Sequence, residues 1–300
     1  MKANKDPVVL SQTFGTFKPM PKILTEKQIV EYEENGLVFP VTVMSENDAK
    51  LLTQKLETYE AESGGPIQKE WRHKVHLLFT WANEIVRHPK ILDAVEDLIG
   101  PNIICWTTNF FIKEAQDPGF VSWHQDSTYW GLEPADVVTA WFAMSEASIE
   151  SGAMRFILGS HKWEQLNHTD TFDSNNLLTR GQEIDLKIDE DEGVFAPLKA
   201  GQISLHHIRA AHASSPNTTP NRRIGLAIRY IPTYVKQIKI RDSAMLVRGE
   251  DAYGNFDYEP PPSADLNEAA LNAHKDATER QLKTYYTCLL YTSPSPRDNR

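Results

Sequence analysis

The feature that most constrains the fold is a change of residue pattern near residue 100. The first hundred residues carry helix signals: Thr25 with Gln28 three positions later resembles a capping box, and Pro89 suits the first turn of a helix. Beyond them, short segments rich in β-branched and aromatic residues alternate with turn sequences such as Asp-Pro-Gly at 117–119. This order predicts an antiparallel sandwich or barrel of short strands, supported by N-terminal helices.

The same signals predict element boundaries. The predicted helices begin near residues 25, 45 and 89 and end at the glycines 36, 64 and 100. The predicted strands are 103–113, 120–123, 137–144, 154–158, 202–205 and 223–231, and a final helix is expected over about 267–284. Residues 160–200 are polar and acidic with little strand pattern, which is typical of a functional lid or a disordered insert.

Composition excludes several classes of protein. The chain has 31 basic and 41 acidic residues, a net charge of −10, which argues against a nucleic-acid or anionic-membrane partner because both need a basic patch. It shows no apolar run long enough for a transmembrane span and no signal-peptide pattern. Two cysteines exclude a disulfide scaffold and a four-cysteine zinc site. We therefore expect an intracellular, cytoplasmic protein.

The last thirteen residues, 288–300, resemble the translation of a sequencing adapter. We leave them out of the fold prediction as a suspected non-native tail, which would mean that the natural C-terminus is missing. The remaining chain is predicted to be one domain over 1–287. It consists of a helical flank over about 20–100, a β core over about 101–245 and a C-terminal loop and helix over 246–287.

A His-x-Asp pair is the first sign of chemistry. Residues two apart in a strand point the same way, so His124 and Asp126 would place an imidazole and a carboxylate on one face. These are two of the three ligands of a 2-His-1-carboxylate iron site. The motif alone is weak, because His168 and Asp170 repeat it within the polar segment, where we interpret the repeat as a solvated loop.

A third ligand must come from elsewhere, and His206, His207 and His212 are the candidates near a late strand. The following stretch alternates in character. One face carries bulky apolar residues, whereas the other carries Arg223, Gly225, Ala227 and Arg229. Small residues leave space, and an arginine beside that space suits a dicarboxylate, because guanidinium forms a bidentate fork to a carboxylate.

Taken together, these stretches resemble the phytanoyl-CoA dioxygenase family of iron- and 2-oxoglutarate-dependent oxygenases, over about residues 20–245. The matching stretches are 100–103 (Gly-Pro-Asn-Ile), 123–126 (Trp-His-Gln-Asp), 140–141 (Ala-Trp), 151–161 (Ser-Gly-Ala-Met-Arg-Phe-Ile-Leu-Gly-Ser-His), 212–217 (His-Ala-Ser-Ser-Pro-Asn) and 222–223 (Arg-Arg). The resemblance implies an all-β core with a helical flank, in the form of a double-stranded β-helix (jelly roll, cupin-like).

The resemblance also implies roles for particular residues. His124, Asp126 and His212 match the iron ligands, with His206 or His207 as the replacement if the register differs. Arg223 matches the arginine that pairs with the far carboxylate of 2-oxoglutarate. The positions expected to line the cosubstrate pocket are Ser214, Trp141, Asn109 and, with a looser match, Lys74.

The implied reaction consumes O2 and 2-oxoglutarate, releases succinate and CO2, and hydroxylates an unactivated carbon of a small-molecule substrate. The surrounding sequence resembles the halogenase-related branch, but halogenating relatives lack the carboxylate, so Asp126 favours hydroxylation. Two other readings stay open: a zinc hydrolase on the same ligands and a jelly-roll binding protein without turnover.

The sequence gives a weak indication of substrate class and no prediction of oligomeric state. No basic cluster suits the phosphates of coenzyme A. Eight acidic residues lie between 170 and 192, and if this segment is a lid they would favour a cationic or neutral small molecule. A plain solvated acidic loop is the alternative.

Overall fold

Helices occupy the two ends of the described chain, and strands fill its middle. The structure, a computed structural model, describes residues 20–178 and 180–292. Its helices are α1 (Glu26–Asn35), α2 (Glu46–Ser63), α3 (Thr80–Val86), α4 (Pro89–Ile99) and α5 (Glu268–Thr292). Its strands are β1 (Leu37–Thr42), β2 (Ile103–Lys113), β3 (Val121–His124), β4 (Leu132–Glu133), β5 (Val138–Ala143), β6 (Met154–Phe156), β7 (His168–Asp170), β8 (Gln182–Ile184), β9 (Val194–Ala196), β10 (Gln202–His207), β11 (His212–Ser214), β12 (Arg223–Pro232), β13 (Lys236–Gln237), β14 (Ser243–Arg248) and β15 (Asp257–Tyr258).

Local capping chemistry sets the helix ends. The Thr25 hydroxyl accepts from the Gln28 backbone N–H at 3.2 Å, and the Gln28 side chain accepts from the Thr25 backbone N–H at 2.9 Å. Gly36 ends α1 in the left-handed conformation, with φ at 72°. Ser45 caps α2 by accepting from the Asp48 backbone N–H at 3.1 Å. The three predicted N-terminal helices are confirmed because their signals are local.

The strands form two main sheets. A seven-stranded sheet has the order β1-β10-β5-β12-β2-β14-β15, and a four-stranded sheet has the order β3-β11-β6-β9. Neighbours in both are antiparallel apart from the β14–β15 pair. The expectation of a mostly β core with helices on its flank is confirmed at this level.

The two faces of the seven-stranded sheet have different partners. On β12, the bulky residues Ile224, Leu226, Ile228 and Tyr230 join a core with side chains of α2, α3 and α4. On the opposite face, Ala227 packs in a second core with residues from the four-stranded sheet. The alternation in the sequence therefore separates a helix-facing side from a side that faces the smaller sheet.

Several elements differ from the prediction. The flank over 20–100 contains β1, which pairs with β10 at separations of 160–169 residues, and the short helix α3. The 160–200 segment holds β7, β8 and β9 rather than being irregular throughout. Helix α5 extends to Thr292 and so enters the suspected tail, of which 293–300 lie outside the described residues. In the part of the chain that the structure covers, we found no helix with the length and apolar character needed to cross a membrane.

Candidate metal centre

The first two candidate ligands follow one another at the end of β3. His124 is the last residue of that strand, and Asp126 begins a short 3₁₀ turn rather than continuing the strand as predicted. Gln125 between them is still extended, with φ −109° and ψ 130°, so the two side chains share a face. His124 Nε2 lies 3.4 Å from Asp126 Oδ1.

The third candidate ligand comes from the neighbouring strand. His212 on β11 stands directly opposite His124 in the antiparallel register, and the centres of the two imidazole rings are 4.1 Å apart. One ligand atom each from His124, Asp126 and His212 lies within 4.8 Å of the others. This spacing allows a single metal ion to reach all three. The pairing of β3 with β11 is what brings together residues nearly ninety positions apart.

Hydrogen bonds fix which nitrogen of each histidine faces the centre. His124 Nδ1 donates to the Ser122 carbonyl and His212 Nδ1 donates to the Ala210 carbonyl, both at 2.9 Å. A carbonyl only accepts, so each Nδ1 carries the proton and each Nε2 presents a lone pair. Metal-binding histidines are oriented by this kind of contact.

The charges at the centre suit a divalent cation. Burial opposes ionisation of Asp126, but its contact with His124 and the charge of Arg229 outweigh it and hold the pKa of the carboxyl well below its usual range. Burial, with His124 nearby, lowers the pKa of His212 to about 3. Asp126 is therefore ionised and His212 neutral at neutral pH. Asp126 Oδ2 is buried without a hydrogen-bond partner, as expected of an oxygen that serves a metal.

Arg223 lies in the same pocket as the three ligands, between the two sheets. Its side chain is 1% exposed; Nη1 donates to the Gly152 carbonyl at 2.7 Å, whereas Nε is buried without a partner. The guanidinium carbon lies 5.2 Å from the ring centre of Trp141, which also lines the pocket. Arg223 thus offers an unused donor edge inside a closed site.

A buried lysine lies beside Arg223, and its position was not predicted from the sequence. Lys113 is the cross-strand partner of Arg223 on β2. Its ammonium donates to the Ser214 hydroxyl at 2.8 Å and also contacts the Ser215 carbonyl. Burial and the charge of Arg223 lower the pKa of Lys113 to about 6. Arg223 and Lys113 lie side by side with no carboxylate hydrogen-bonded to either in the described structure, so an anion bound here would favour protonation of Lys113.

Two predicted pocket residues, Trp141 and Ser214, line this pocket, as does His206. The space expected beside Gly225 is taken by the indole of Trp141: a Cβ at this glycine would lie 1.9 Å from the ring. Glycine is needed on β12 so that the indole can cross the strand. His207 lies elsewhere, with its ring centre 5.5 Å from that of His161.

The other two predicted pocket residues lie outside this pocket. Asn109 lines a larger adjoining cavity of about 530 Å³, and its Oδ1 is buried without a partner. Lys74 is fully buried but lines neither cavity, because its ammonium forms a 2.6 Å ion pair with Glu259 and donates to the Trp106 carbonyl at 2.8 Å. Its contacts are those of a residue that joins β2 to the C-terminal loop.

The second His-x-Asp motif contacts the metal-binding loop through His168, which its polar sequence setting did not indicate. His168 is half-buried, and its Nε2 accepts from the Gln125 backbone N–H at 2.9 Å. Gln125 separates the two ligands His124 and Asp126, so the β7 hairpin is attached to the metal-binding loop. The interpretation of His168 as part of a solvated loop is therefore wrong. The long-range contact that buries it gives no signal in the local sequence.

Comparisons with known proteins show which proteins the chain is similar to. Residues 32–225 match the family described as Phytanoyl-CoA dioxygenase (PhyH). A probable alpha-ketoglutarate-dependent hypophosphite dioxygenase of Stutzerimonas stutzeri is 31% identical over 224 residues, which are 73% of this chain and 72% of that protein. The solved structure of the non-heme monooxygenase ThoJ in its apo form is 36% identical with a TM-score of 0.79, covering 88% of this chain and 99% of ThoJ. The ThoJ–nickel complex is 34% identical with a TM-score of 0.74, covering 87% of this chain and 99% of that one.

Proposed function

The chain belongs to the phytanoyl-CoA dioxygenase family, and from that premise we propose that it is an Fe(II)- and 2-oxoglutarate-dependent dioxygenase whose iron is held by His124, Asp126 and His212. The observation that carries the assignment of the ligands is the convergence of two oriented imidazoles and one ionised carboxylate within 4.8 Å. Two neutral nitrogen ligands and one carboxylate on one face are the donor set of non-haem ferrous oxygenases. The bound iron, with 2-oxoglutarate and O2, supplies the oxidising power that places one oxygen atom in a substrate C–H bond and the other in succinate, with release of CO2.

In this proposal, the protein's own task on the cosubstrate side is to bind a dicarboxylate. Arg223 offers its Nε edge to the far carboxylate. Lys113 lies next to Arg223, and the bound dicarboxylate would raise its lowered pKa and so favour its charged form. Ser214, held by Lys113, and the ring of Trp141 line the same pocket. Because these groups are buried, their attraction for an anion is screened little by water.

The presence of Asp126 supports hydroxylation rather than halogenation in this proposal. A carboxylate at this position occupies the place that a halide would need, and its ionised form is stabilised by the surrounding groups. We propose that the substrate is a small metabolite. The Stutzerimonas relative is named for hypophosphite, which is a small molecule.

We also propose that the two sheets are the halves of a jelly roll and that residues 1–287 form a single oxygenase domain. The pocket supports this reading, since β2, β5 and β12 line it from the larger sheet and β3, β6 and β11 line it from the smaller one. Jelly rolls of this kind enclose their sites between two antiparallel sheets.

The test is an anaerobic titration of the purified chain with Fe(II) in the presence of 2-oxoglutarate, followed by its weak visible charge-transfer band. We expect saturation at about one iron per chain, in keeping with one three-ligand site. His212→Ala should show no band, and Asp126→Ala, which retains both imidazoles, should need more Fe(II) than the wild type to reach the same band. The control Asp276→Ala removes an exposed carboxylate on α5 and should behave as the wild type.

The outcomes separate the alternatives. A band that is unchanged at the same Fe(II) concentration in both variants would contradict the ligand assignment. Hydrolytic activity with Zn(II) and no 2-oxoglutarate consumption would support the hydrolase reading. Absence of metal binding by the wild type would support a binding protein without turnover.

A further inference from the structure

The large cavity that adjoins the metal centre has a buried guanidinium whose Nε forms no hydrogen bond with the described residues. Arg229 lines both this cavity and the metal pocket, and its side chain is almost fully buried, with the residue 6% exposed. The guanidinium carbon lies 5.3 Å from the Trp130 ring centre and 5.7 Å from that of Phe111, so the two rings fix its position. Burying a guanidinium in this way is costly unless an acceptor meets it.

No described residue supplies that acceptor. Arg229 Nε is buried without a hydrogen-bond partner, and no hydrogen bond joins the guanidinium to any part of the protein that the structure covers. The nearest carboxylate oxygen, Asp126 Oδ2, is 3.9 Å from Arg229 Nη2, which is too far for a hydrogen bond. Asp126 is also committed to the metal in the function proposed above. Arg229 therefore has a hydrogen-bond donor available to a ligand where the two cavities meet.

The charges around the larger cavity have the same sign. Lys69 and Arg72 line it together with Arg229, and Asp126 is the only carboxylate among the described residues that do so. The acidic segment 170–192 does not change the charge of this cavity, because its residues that line the wall are neutral or basic. Its Asp170 forms an ion pair with Arg180 and does not line the cavity. In a chain with a net charge of −10, a cationic cavity is a local feature.

Much of the remaining wall of this cavity, which has a volume of about 530 Å³, is apolar. Phe110, Ile112, Leu177 and Leu178 contribute to it, together with uncharged polar side chains such as Thr107. An apolar wall with a few placed polar groups is the usual form of a small-molecule site.

We propose that the substrate of this enzyme is an amphipathic organic oxyanion, a carboxylate or a phosphonate, whose charged group binds Arg229 and whose apolar body fills the adjoining cavity. The inference rests on the proposed function, because it takes the larger cavity as the substrate site. It reverses the expectation, drawn from the acidic segment, of a cationic or neutral substrate. Since Arg229 is so near Asp126, the oxidised carbon lies close to the acid group.

The test compares matched probes on the full chain loaded anaerobically with Fe(II) and 2-oxoglutarate, by isothermal titration calorimetry. The probes are hexylphosphonate, hexanoate, hexanamide and hexylamine, which share an apolar tail and differ in the head group. We expect at least one of the two anions to bind about tenfold or more tightly than the amide, because a charge-assisted hydrogen bond is gained. The anion that binds more tightly shows whether the site prefers a phosphonate or a carboxylate.

Variants locate the effect. Arg229→Gln should reduce the preference for the anion over the amide to less than about threefold, and Arg229→Lys should retain part of it. Arg241→Gln removes an exposed arginine that pairs with Asp257, and should leave the preference unchanged. If Arg229→Gln fails to fold, the wild-type probe series and Arg229→Lys still decide the question.

The inference is overturned if hexanamide or hexylamine binds the wild type as tightly as the anions, if none of the probes binds, or if the preference survives in Arg229→Gln. It is also overturned if Arg229→Gln weakens 2-oxoglutarate binding while leaving the probe preference intact, since the guanidinium would then serve the cosubstrate. The charge-transfer band is measured first in each sample. Loss of that band in the wild type defeats the proposed function, whereas a normal band without anion preference defeats this inference alone.

Discussion

Replacing Arg223 by methionine tests how this buried guanidinium contributes to binding of the cosubstrate. Nη1 of Arg223 is bonded to the Gly152 carbonyl, so the edge that carries Nε remains for a carboxylate. Two charge-assisted hydrogen bonds at about 1.5–3 kcal/mol each would be lost. Lys113 offsets part of this loss: without the charge of Arg223, its pKa rises from about 6, and its ammonium is protonated more fully at neutral pH.

The net loss should be about 3 kcal/mol, which corresponds to about a 150-fold weaker Kd for 2-oxoglutarate. Isothermal titration calorimetry on the Fe(II)-loaded protein under nitrogen measures it. Arg222→Met is the matched control, because the Arg222 guanidinium pairs with Glu60 and Glu114 rather than lining the metal pocket. It should leave the Kd within about threefold of the wild type.

The reasoning is refuted if folded Arg223→Met binds 2-oxoglutarate within about threefold of the wild type. Thermal unfolding without ligands checks that the variant is folded. We expect its stability to lie within about 1 kcal/mol of the wild type, because the lost hydrogen bond to Gly152 is offset by removal of a buried charge to which no carboxylate is hydrogen-bonded among the described residues.

Three further predictions concern the metal ligand, the sheet and the buried ion pair. Asp126→Ala should reduce substrate hydroxylation to the level of metal-free protein, measured as succinate and product formation; unchanged product would contradict the ligand assignment. Gly225→Ala places a Cβ against the Trp141 indole and should lower the free energy of unfolding in urea by about 3 kcal/mol. An unchanged unfolding midpoint would show that β12 can shift to accept the methyl group. Burial opposes ionisation of Glu259, but the residues that contact it, chiefly Lys74, together have the larger effect and lower the pKa of Glu259 from the usual 4.5 to about 2. The lowered pKa contributes stability that is present above pH 4.5 and is lost as the pH falls to 2. Wild-type unfolding should lose about 3 kcal/mol over that range, a component that should be missing when Lys74→Met and Glu259→Leu are combined.

The parts of the fold that the sequence predicted well are those set by local chemistry. The caps at Thr25 and Ser45 and the glycine stop at Gly36 act over a few residues, and each lies where predicted. Strand β1 was missed because its sequence includes Pro40 and lies between two helices. Its pairing with β10 depends on contacts far along the chain.

The same distinction holds at the candidate site. The alternation on β12 placed Arg223 and Arg229 on one face correctly, although it gave no role to Arg229. Lys113 was read only as the end of an apolar strand, since nothing local shows that it pairs with Arg223. Lys74 was expected in the cosubstrate pocket, but its amine is directed to Glu259, a residue 185 positions away that the sequence offered no reason to select.

The central claim is that one ferrous ion is held by residues from two neighbouring strands. Its most direct test is a crystal of the protein grown anaerobically with Fe(II) and examined by anomalous scattering on both sides of the iron absorption edge. We predict one iron peak within about 2.0–2.2 Å of His124 Nε2, an Asp126 carboxylate oxygen and His212 Nε2, the usual bond lengths for these donors. An iron peak elsewhere, or one bound by fewer than these three side chains, would contradict it.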